Sequence, residues 1–173
     1  MNSQTITSVI PANPDVSSNF KLAMRRLTST VTIITATDGE SRYGMTATAV
    51  TSLTATPPSI LVCINQSASI HGPIDDTRKY CINLLGCDHS DLVSSFSGSL
   101  TGEERFTAGS WAINNSDIPF LVDAQANIFC TVVQMIKHES HTVFIGRVDE
   151  VLIQGKTSPL LYQEGCLYRS IAL

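Results

Sequence analysis

Residues 126–154, ANIFCTVVQMIKHESHTVFIGRVDEVLIQ, constrain the fold more than any other stretch. β-branched and aromatic residues run through both halves, and the one break falls near Glu139–Ser140. Such runs favour strands, because branched and aromatic side chains pack well on a pleated surface. The stretch reads as a long antiparallel pair, and a chain built around it is mainly β.

The rest of the chain supplies partners for that pair. STVTIITAT reads as a strand ending at the hairpin signal DGE, and RYGMTATAV as its return. TATPP turns the chain into a third strand, SILVCIN, which is apolar on both faces and therefore expected to be central. SASIHGPIDDT reads as a turn and a short helix, and KYCINLLG as a fourth strand. DHSDLVSSFSG fits a helix capped by Asp88 with Leu92, Val93 and Phe96 inward. Residues 99–119 mix polarity and turn formers, so an excursion without regular structure is expected there. CLYRSIA closes the chain as a short strand.

Near the start, Phe20, Met24 and Leu27 share one stripe of a short helix that Ser17 or Ser18 can cap. Residues 1–17 are expected to form a mobile arm and residues 18–173 a single domain. Six or seven strands with a few short helices predict a closed or partly open antiparallel barrel.

Composition narrows the function. Only 15% of the 173 residues are charged, which predicts an oligomer that covers part of its surface. Trp111 is expected at the interface. The net charge is −4 and the densest basic run is Arg25–Arg26, so nucleic acid has no electrostatic footprint. No apolar run approaches the roughly 20 residues of a membrane span. The polar start of the chain lacks the pattern of a secretory signal, and a cytoplasmic location follows as the expectation. The five cysteines, Cys63, Cys81, Cys87, Cys130 and Cys166, form no CxxC and read as reduced thiols.

The motifs of common chemistries are missing. No GxGxxG follows a strand, and neither a P-loop nor GxSxG occurs. His138 and His141 form an HxxH, but three residues apart on one strand they face opposite ways. Cys87 and His89 lack further metal ligands, so no metal site is expected. An enzyme without a nucleophile or acid–base pair borrows its chemistry from a cofactor.

The stretch YGMTATAVTSLTATPPSILVCIN looks like two strands around a turn, yet the first carries Thr46, Thr48, Thr51 and Ser52 among alanines. Little there can fill a core. Either these are strand threonines, which β-propensity favours, or their hydroxyls serve a ligand.

Read in order, the motifs resemble the short-chain flavin reductases, the reductase components of two-component flavin-dependent monooxygenases. FKLAMRRLTSTVTIITA is similar to that family's opening helix and strand, and the threonine-rich stretch to its flavin-binding segment. SASIH, YCINLLG, ERF with the following Trp and Pro, and HTVFIGRV match further segments, so the resemblance covers residues 18–171. Ser140 stands where family members often have an acidic residue, and Thr48 where they often have Asn.

The resemblance implies an FMN-binding split barrel: an antiparallel split β-barrel with a few short helices. It implies FMN or FAD as flavin and NADH or NADPH as hydride donor. It further implies a separate oxygenase that receives reduced flavin by diffusion; the low charge and the apolar surface an open barrel leaves make the expected oligomer a homodimer. It casts His141 at the nicotinamide, in the catalytic role. It casts Met45, Thr46, Ala47, Thr48, Ala49, Thr51 and Ser52 against the flavin, with Thr48, Thr51 and Ser52 toward ribityl and phosphate. Cys63, Ile64, Asn65, Ser67, Ser69, His71, Asn83, Leu84, Phe96 and Tyr168 complete the implied cofactor-binding set. Asn83 has two readings, a flavin contact or a bond to a neighbouring strand. A non-catalytic flavin carrier on the same barrel is the alternative. An oxidase with permanently bound FMN is disfavoured by the scarcity of Arg and Lys, 11 in all.

Overall fold

A computed structural model describes residues 14–171. The chain runs α1 (Pro14–Arg25), β1 (Ser29–Thr30), β2 (Thr32–Thr37), β3 (Arg42–Ala47), β4 (Val50–Ala55) and β5 (Pro58–Asn65). It continues through α2 (His71–Thr77), β6 (Lys79–Leu84), α3 (Ser90–Ser94), β7 (Trp111–Ile113) and β8 (Pro119–Leu121). The long hairpin β9 (Ala126–His138) and β10 (His141–Ile153) follows, then β11 (Leu160–Gln163) and β12 (Cys166–Arg169).

Seven strands form one antiparallel sheet in the order β3-β2-β6-β9-β10-β5-β4. Its two outermost strands, β3 and β4, are consecutive in the chain. The segment Thr48–Ala49 therefore joins one edge of the sheet to the other. The Val50 amide donates to the Thr48 carbonyl at 3.0 Å, and the Cys63 amide to the Ala49 carbonyl at 3.1 Å. The result is a barrel split along β3 and β4, as the mainly β expectation requires. Register shifts in β9–β10 at Ile145/Gly146 and Val148/Glu150 mark bulges, which locally bend and twist a strand.

The interior is filled by alternate residues: Ile60, Val62 and Ile64 from β5, Ile82 from β6 and Phe144 from β10 are buried. Each such side chain contributes about 1.5–3 kcal/mol by leaving water. At Gly146 a Cβ would lie 2.2 Å from the Tyr80 hydroxyl oxygen, so glycine is what lets the buried Tyr80 fit beneath β10.

Several expectations need correction. The threonine-rich stretch makes three strands, not two: β3 and β4 flank a break at residues 48–49 with no turn former to announce it. The strand β5 is next to the edge rather than central, with one face buried and the other half-buried. Residues 99–119 contain a 3₁₀ segment, Gly102–Thr107, and part of the hairpin β7–β8. Trp111 packs within the chain, on Phe96 and Phe106 at centroid distances of 5.3 and 4.9 Å. The strand β11 is an addition that pairs with both β1 and β12. Asp88 caps nothing; the Gly86 amide there donates to His89 Nδ1 at 3.1 Å.

The first helix begins at Pro14, ahead of either proposed cap, so only residues 1–13 of the expected arm lie outside the described residues. His138 and His141 sit on two strands, paired across the β9–β10 turn, rather than three apart on one. All five cysteines are free. Among the described residues no helix is long and apolar enough to cross a membrane, and no group of three or more potential ligands could hold a metal ion.

Candidate active site

Two hollows that share lining residues follow the split. The first, about 460 Å³, has β3 as its floor through Met45, Thr46 and Ala47, ending at Thr48. Val93, Phe96, Ser97 and Gly98 form one wall, and Ala68 and Ser69 in the turn after β5 another. Val31, Tyr162 and Arg105 complete it. The second, about 580 Å³, runs from Thr48 and Tyr162 along Ala49, Val50 and Thr51, over Leu61 and Cys63, to Met24 and Arg25 of α1 and Leu27 beyond it. Thr48 and Tyr162 line both. These volumes fall in the range of small-molecule and cofactor sites, about 300–1,000 Å³.

A close approach underpins the floor. A Cβ on Gly44 would lie 2.5 Å from Phe96, so glycine lets the Phe96 ring press against β3 and form the wall. The Phe96 ring stands edge-on to Phe106, and Arg42, paired with Glu103, lies 4.4 Å over Phe106. Arg42 holds the Glu103 carboxyl below its usual range. Arg105 is pinned: its Nε donates to the Leu100 carbonyl at 2.8 Å and its Nη1 to the Gly44 carbonyl at 2.5 Å. It is the one cation on the first hollow's wall.

The hydroxyls divide into two kinds. Thr46 Oγ1 donates to the Val93 carbonyl at 3.2 Å and helps hold α3 over the floor. Those of Thr48 and Thr51 have no protein partner among the described residues, yet both line the hollows. Ser69 on the first hollow's wall is likewise without a side-chain partner. Ser52 is exposed and lines neither hollow, because strand alternation turns it away from Thr51.

The other sequence-chosen residues separate clearly. Met45, Ala47, Ala49, Cys63 and Phe96 line the hollows. Asn65 and Ser67 close the adjoining turn, with Asn65 Oδ1 accepting from the Ser67 amide and hydroxyl at 2.9 and 2.8 Å. Gln66 stitches that turn to the β9–β10 turn, its Nε2 donating to the Glu139 and His141 carbonyls at 2.9 and 3.1 Å. His141 is exposed there, opposite Asn65 and within 2.9 Å of the Ser140 hydroxyl. It stands at the end of the barrel that carries Ala68 and Ser69, outside the hollow. His71 points inward: its Nε2 lies 2.9 Å from Thr142 Oγ1 and its ring meets Phe144 edge-on.

Four further choices also stay outside the hollows. Ile64 is fully buried and Leu84 packs against the barrel core. Asn83 is fully buried with its amide committed to protein: Nδ2 donates to Ile33 O and Thr35 Oγ1, while Oδ1 accepts from the Leu121 amide and Asn127 Nδ2. The neighbouring-strand reading of Asn83 is the one the geometry fits. Tyr168 lines a separate groove with Cys87 and Leu167. The tyrosine of the hollows is Tyr162, on the strand that sequence patterning missed. Arg105 was also missed, although it lies in the ERF that carried part of the resemblance.

A split antiparallel barrel with a floor of Met45, Thr46, Ala47 and Thr48, an aromatic wall and unpartnered hydroxyls suits a planar, polar-edged ring with a hydroxylated tail. That is the shape and chemistry of a flavin. The chain belongs to the flavin reductase like domain family, which matches residues 24–170. It is 40% identical over 150 residues to the reductase component of an FADH(2)-dependent resorcinol hydroxylase from Rhizobium sp., covering 86% of this chain and 84% of that one. It is 37% identical to the FMN reductase (NADH) RutF of Methylorubrum populi, covering 92% of this chain and 79% of that one. Among solved structures, flavin reductase PheA2 in its native state superposes with a TM-score of 0.81 at 31% identity, over 90% of this chain and 98% of that one. A flavin reductase domain protein from Arthrobacter sp. FB24 gives 0.84 at 28% identity, over 91% of this chain and 97% of that one.

Proposed function

We propose that residues 18–173 form one NAD(P)H:flavin oxidoreductase domain that supplies reduced flavin to a separate oxygenase by diffusion. The observation that carries this reading is the floor of the split, where Thr48 and Thr51 offer hydroxyls that no protein group takes. Hydride transfer from a dihydronicotinamide to a flavin ring is the chemistry the two cofactors supply when bound.

The chain's own residues bind and orient. Met45–Thr48 give a floor that lets a ring lie close to the backbone. Phe96 and Val93 exclude water from one side. Thr48 and Thr51 hold the tail. Ser69 and the turn around Asn65–Ser67 border the open side, where His141 can hydrogen-bond a nicotinamide carboxamide or pyrophosphate. No side chain need move a proton. Anchoring by neutral hydroxyls suits a flavin that leaves after reduction. The alternative is a non-catalytic flavin carrier on the same barrel.

Mixing the protein with NADH or NADPH and free FMN or FAD, and following the nicotinamide absorbance band, separates the two readings. Oxidation of the nicotinamide only when both partners are present is expected. Flavin binding without oxidation leaves the carrier.

The same reading includes a cytoplasmic homodimer. Helix α1 exposes Val16, Phe20, Leu22 and Met24, with Phe20 at 63%, Leu27 follows just beyond it, and β4 and β9 add Leu53 and Val133. Apolar surface of this kind marks an interface, and a second copy is the occupant we assign. Light scattering at micromolar concentration tests it, with a monomer mass as the refuting result.

A further inference from the structure

We infer that Gln66 and His71 are positioning residues for the nicotinamide side of the reaction, acting through His141. The inference rests on the reading of His141 above and adds to it what holds that histidine in place.

His141 sits at the tip of the long hairpin, where the chain turns through Glu139 with a φ of +47°. Among the described residues the only hydrogen bond its ring makes is with the Ser140 hydroxyl, which belongs to the same tip. A ring attached in this way takes its position from whatever fixes the tip.

The turn after β5 does the fixing. The Gln66 amide donates to the Ser140 carbonyl at 2.9 Å, and Gln66 Nε2 donates to the Glu139 and His141 carbonyls at 2.9 and 3.1 Å. All three N–H donor positions of one residue converge on three consecutive carbonyls of the tip. Gln66 is itself held, because Asn65 Oδ1 accepts from the Ser67 amide and hydroxyl on its far side. Five residues on, His71 takes hold of the same strand from the interior. It is 8% exposed, and its Nε2 lies 2.9 Å from Oγ1 of the fully buried Thr142. Its ring stands edge-on to Phe144, two positions further along β10. The start of β10 is gripped from outside by Gln66 and from inside by His71.

Between the two grips lie Ala68 and Ser69, which line the first hollow. The Ala68 amide donates to the Asn65 carbonyl at 3.0 Å and the His71 amide to the Ala68 carbonyl at 2.9 Å, so residues 65–71 form one tied segment. Its middle borders the flavin hollow and its two ends hold the His141 tip. The segment therefore sets the spacing between His141 and a ring in that hollow. Hydride transfer tolerates little error there, since a misplacement of about 1 Å can cost on the order of 100-fold in rate.

A double-mutant cycle tests this, read by steady-state kinetics with NADH or NADPH, whichever the wild type oxidises, varied at fixed flavin, beside a flavin titration. Gln66→Ala removes the two side-chain bonds and keeps the backbone one. It should raise the nicotinamide KM or lower kcat about three- to tenfold, with the flavin dissociation constant unchanged. In a His141→Ala background the same change should cost less than about twofold, because the residue it positions is gone. His71→Phe keeps a ring against Phe144 and loses the bond to Thr142, so it should show the same kinetic loss. His71→Gln restores a bonding partner and should recover it.

Gln66 is exposed, so the cycle does not depend on the buried His71 variants folding. Wild-type kinetics in Gln66→Ala overturns the inference. An undiminished loss in the His141→Ala background also overturns it, because Gln66 then acts by another route. So does a flavin affinity that falls in step with the kinetics. These results leave the reading of His141 standing. Wild-type nicotinamide kinetics in His141→Ala alone removes that reading and this inference with it.

Discussion

Replacing Thr48 and Thr51 together by valine tests the floor of the split directly. Valine keeps the branched shape and strand preference of threonine and removes only the hydroxyl. Neither hydroxyl has a protein partner among the described residues, so the free protein loses no hydrogen bond. Its melting temperature should stay within about 2 °C of wild type, since a 1 kcal/mol change moves a chain of this size by roughly 2–4 °C. Binding should suffer instead. A neutral hydrogen bond contributes about 0.5–1.5 kcal/mol and one to a charged group about 1.5–3. If Thr48 meets the ribityl chain and Thr51 a phosphate, the pair accounts for about 2–4.5 kcal/mol, or roughly 30- to 2,000-fold in flavin affinity.

Titration of flavin fluorescence reads the dissociation constant, and thermal melting without flavin reads stability. Ser52→Ala is the internal control: it removes a hydroxyl from the same strand on the side that lines neither hollow. Unchanged affinity in the double valine variant would refute the reasoning. So would a loss in Ser52→Ala as large as in the pair.

Further expectations concern residues the structure separates from the floor. His141→Ala should raise the nicotinamide KM or lower kcat by one to two orders of magnitude, about 1.4–2.7 kcal/mol, while flavin affinity stays unchanged; weakened flavin binding with normal nicotinamide kinetics would put the histidine on the wrong side. Asn83→Ala should act on stability alone. Leaving the Leu121 amide, Ile33 carbonyl and Asn127 amide under-satisfied in the core costs about 3–5 kcal/mol, read as a melting temperature roughly 6–20 °C lower, with the flavin dissociation constant of the folded protein unchanged. Asp38, held at about 2 by the Ser41 and Glu40 amides and the Tyr43 hydroxyl, has a folded pKa below its ordinary 3.8. Its contribution to the β2–β3 turn is therefore full above about pH 4 and lost as pH falls through 2; denaturant melts of wild type and Asp38→Ala should differ at pH 6 and converge near pH 2.

The long hairpin and the core strands were legible because their branched and aromatic residues form long uninterrupted runs. The break between β3 and β4 was not. Thr48 and Ala49 continue the Thr/Ala pattern on either side, and only pairing with different strands distinguishes the two segments. Patterning also put Asn83 and Ser52 on the same footing as Thr48. Each is a polar residue in a strand, and what separates them is where the amide or hydroxyl ends up: inside the sheet, in solvent, or over the split. Tyr162 and Arg105 escaped for another reason. The short strand β11 has too few residues to show a period, and Arg105 sits in a segment of mixed polarity whose 3₁₀ turns leave no periodic trace. Trp111 stacks on Phe96 and Phe106 of its own chain, contacts that sequence spacing does not reveal.

Because β3 and β4 border the same gap and meet at Thr48–Ala49, the floor of the hollows is also the join between the two borders of the barrel's split. A ligand lying there touches both borders at once and acts as a clasp across them. Parting the borders and releasing the ligand are then a single motion. Such a site needs no separate door: the width of the gap sets how fast the ligand leaves, and whatever stiffens Thr48–Ala49 slows its departure.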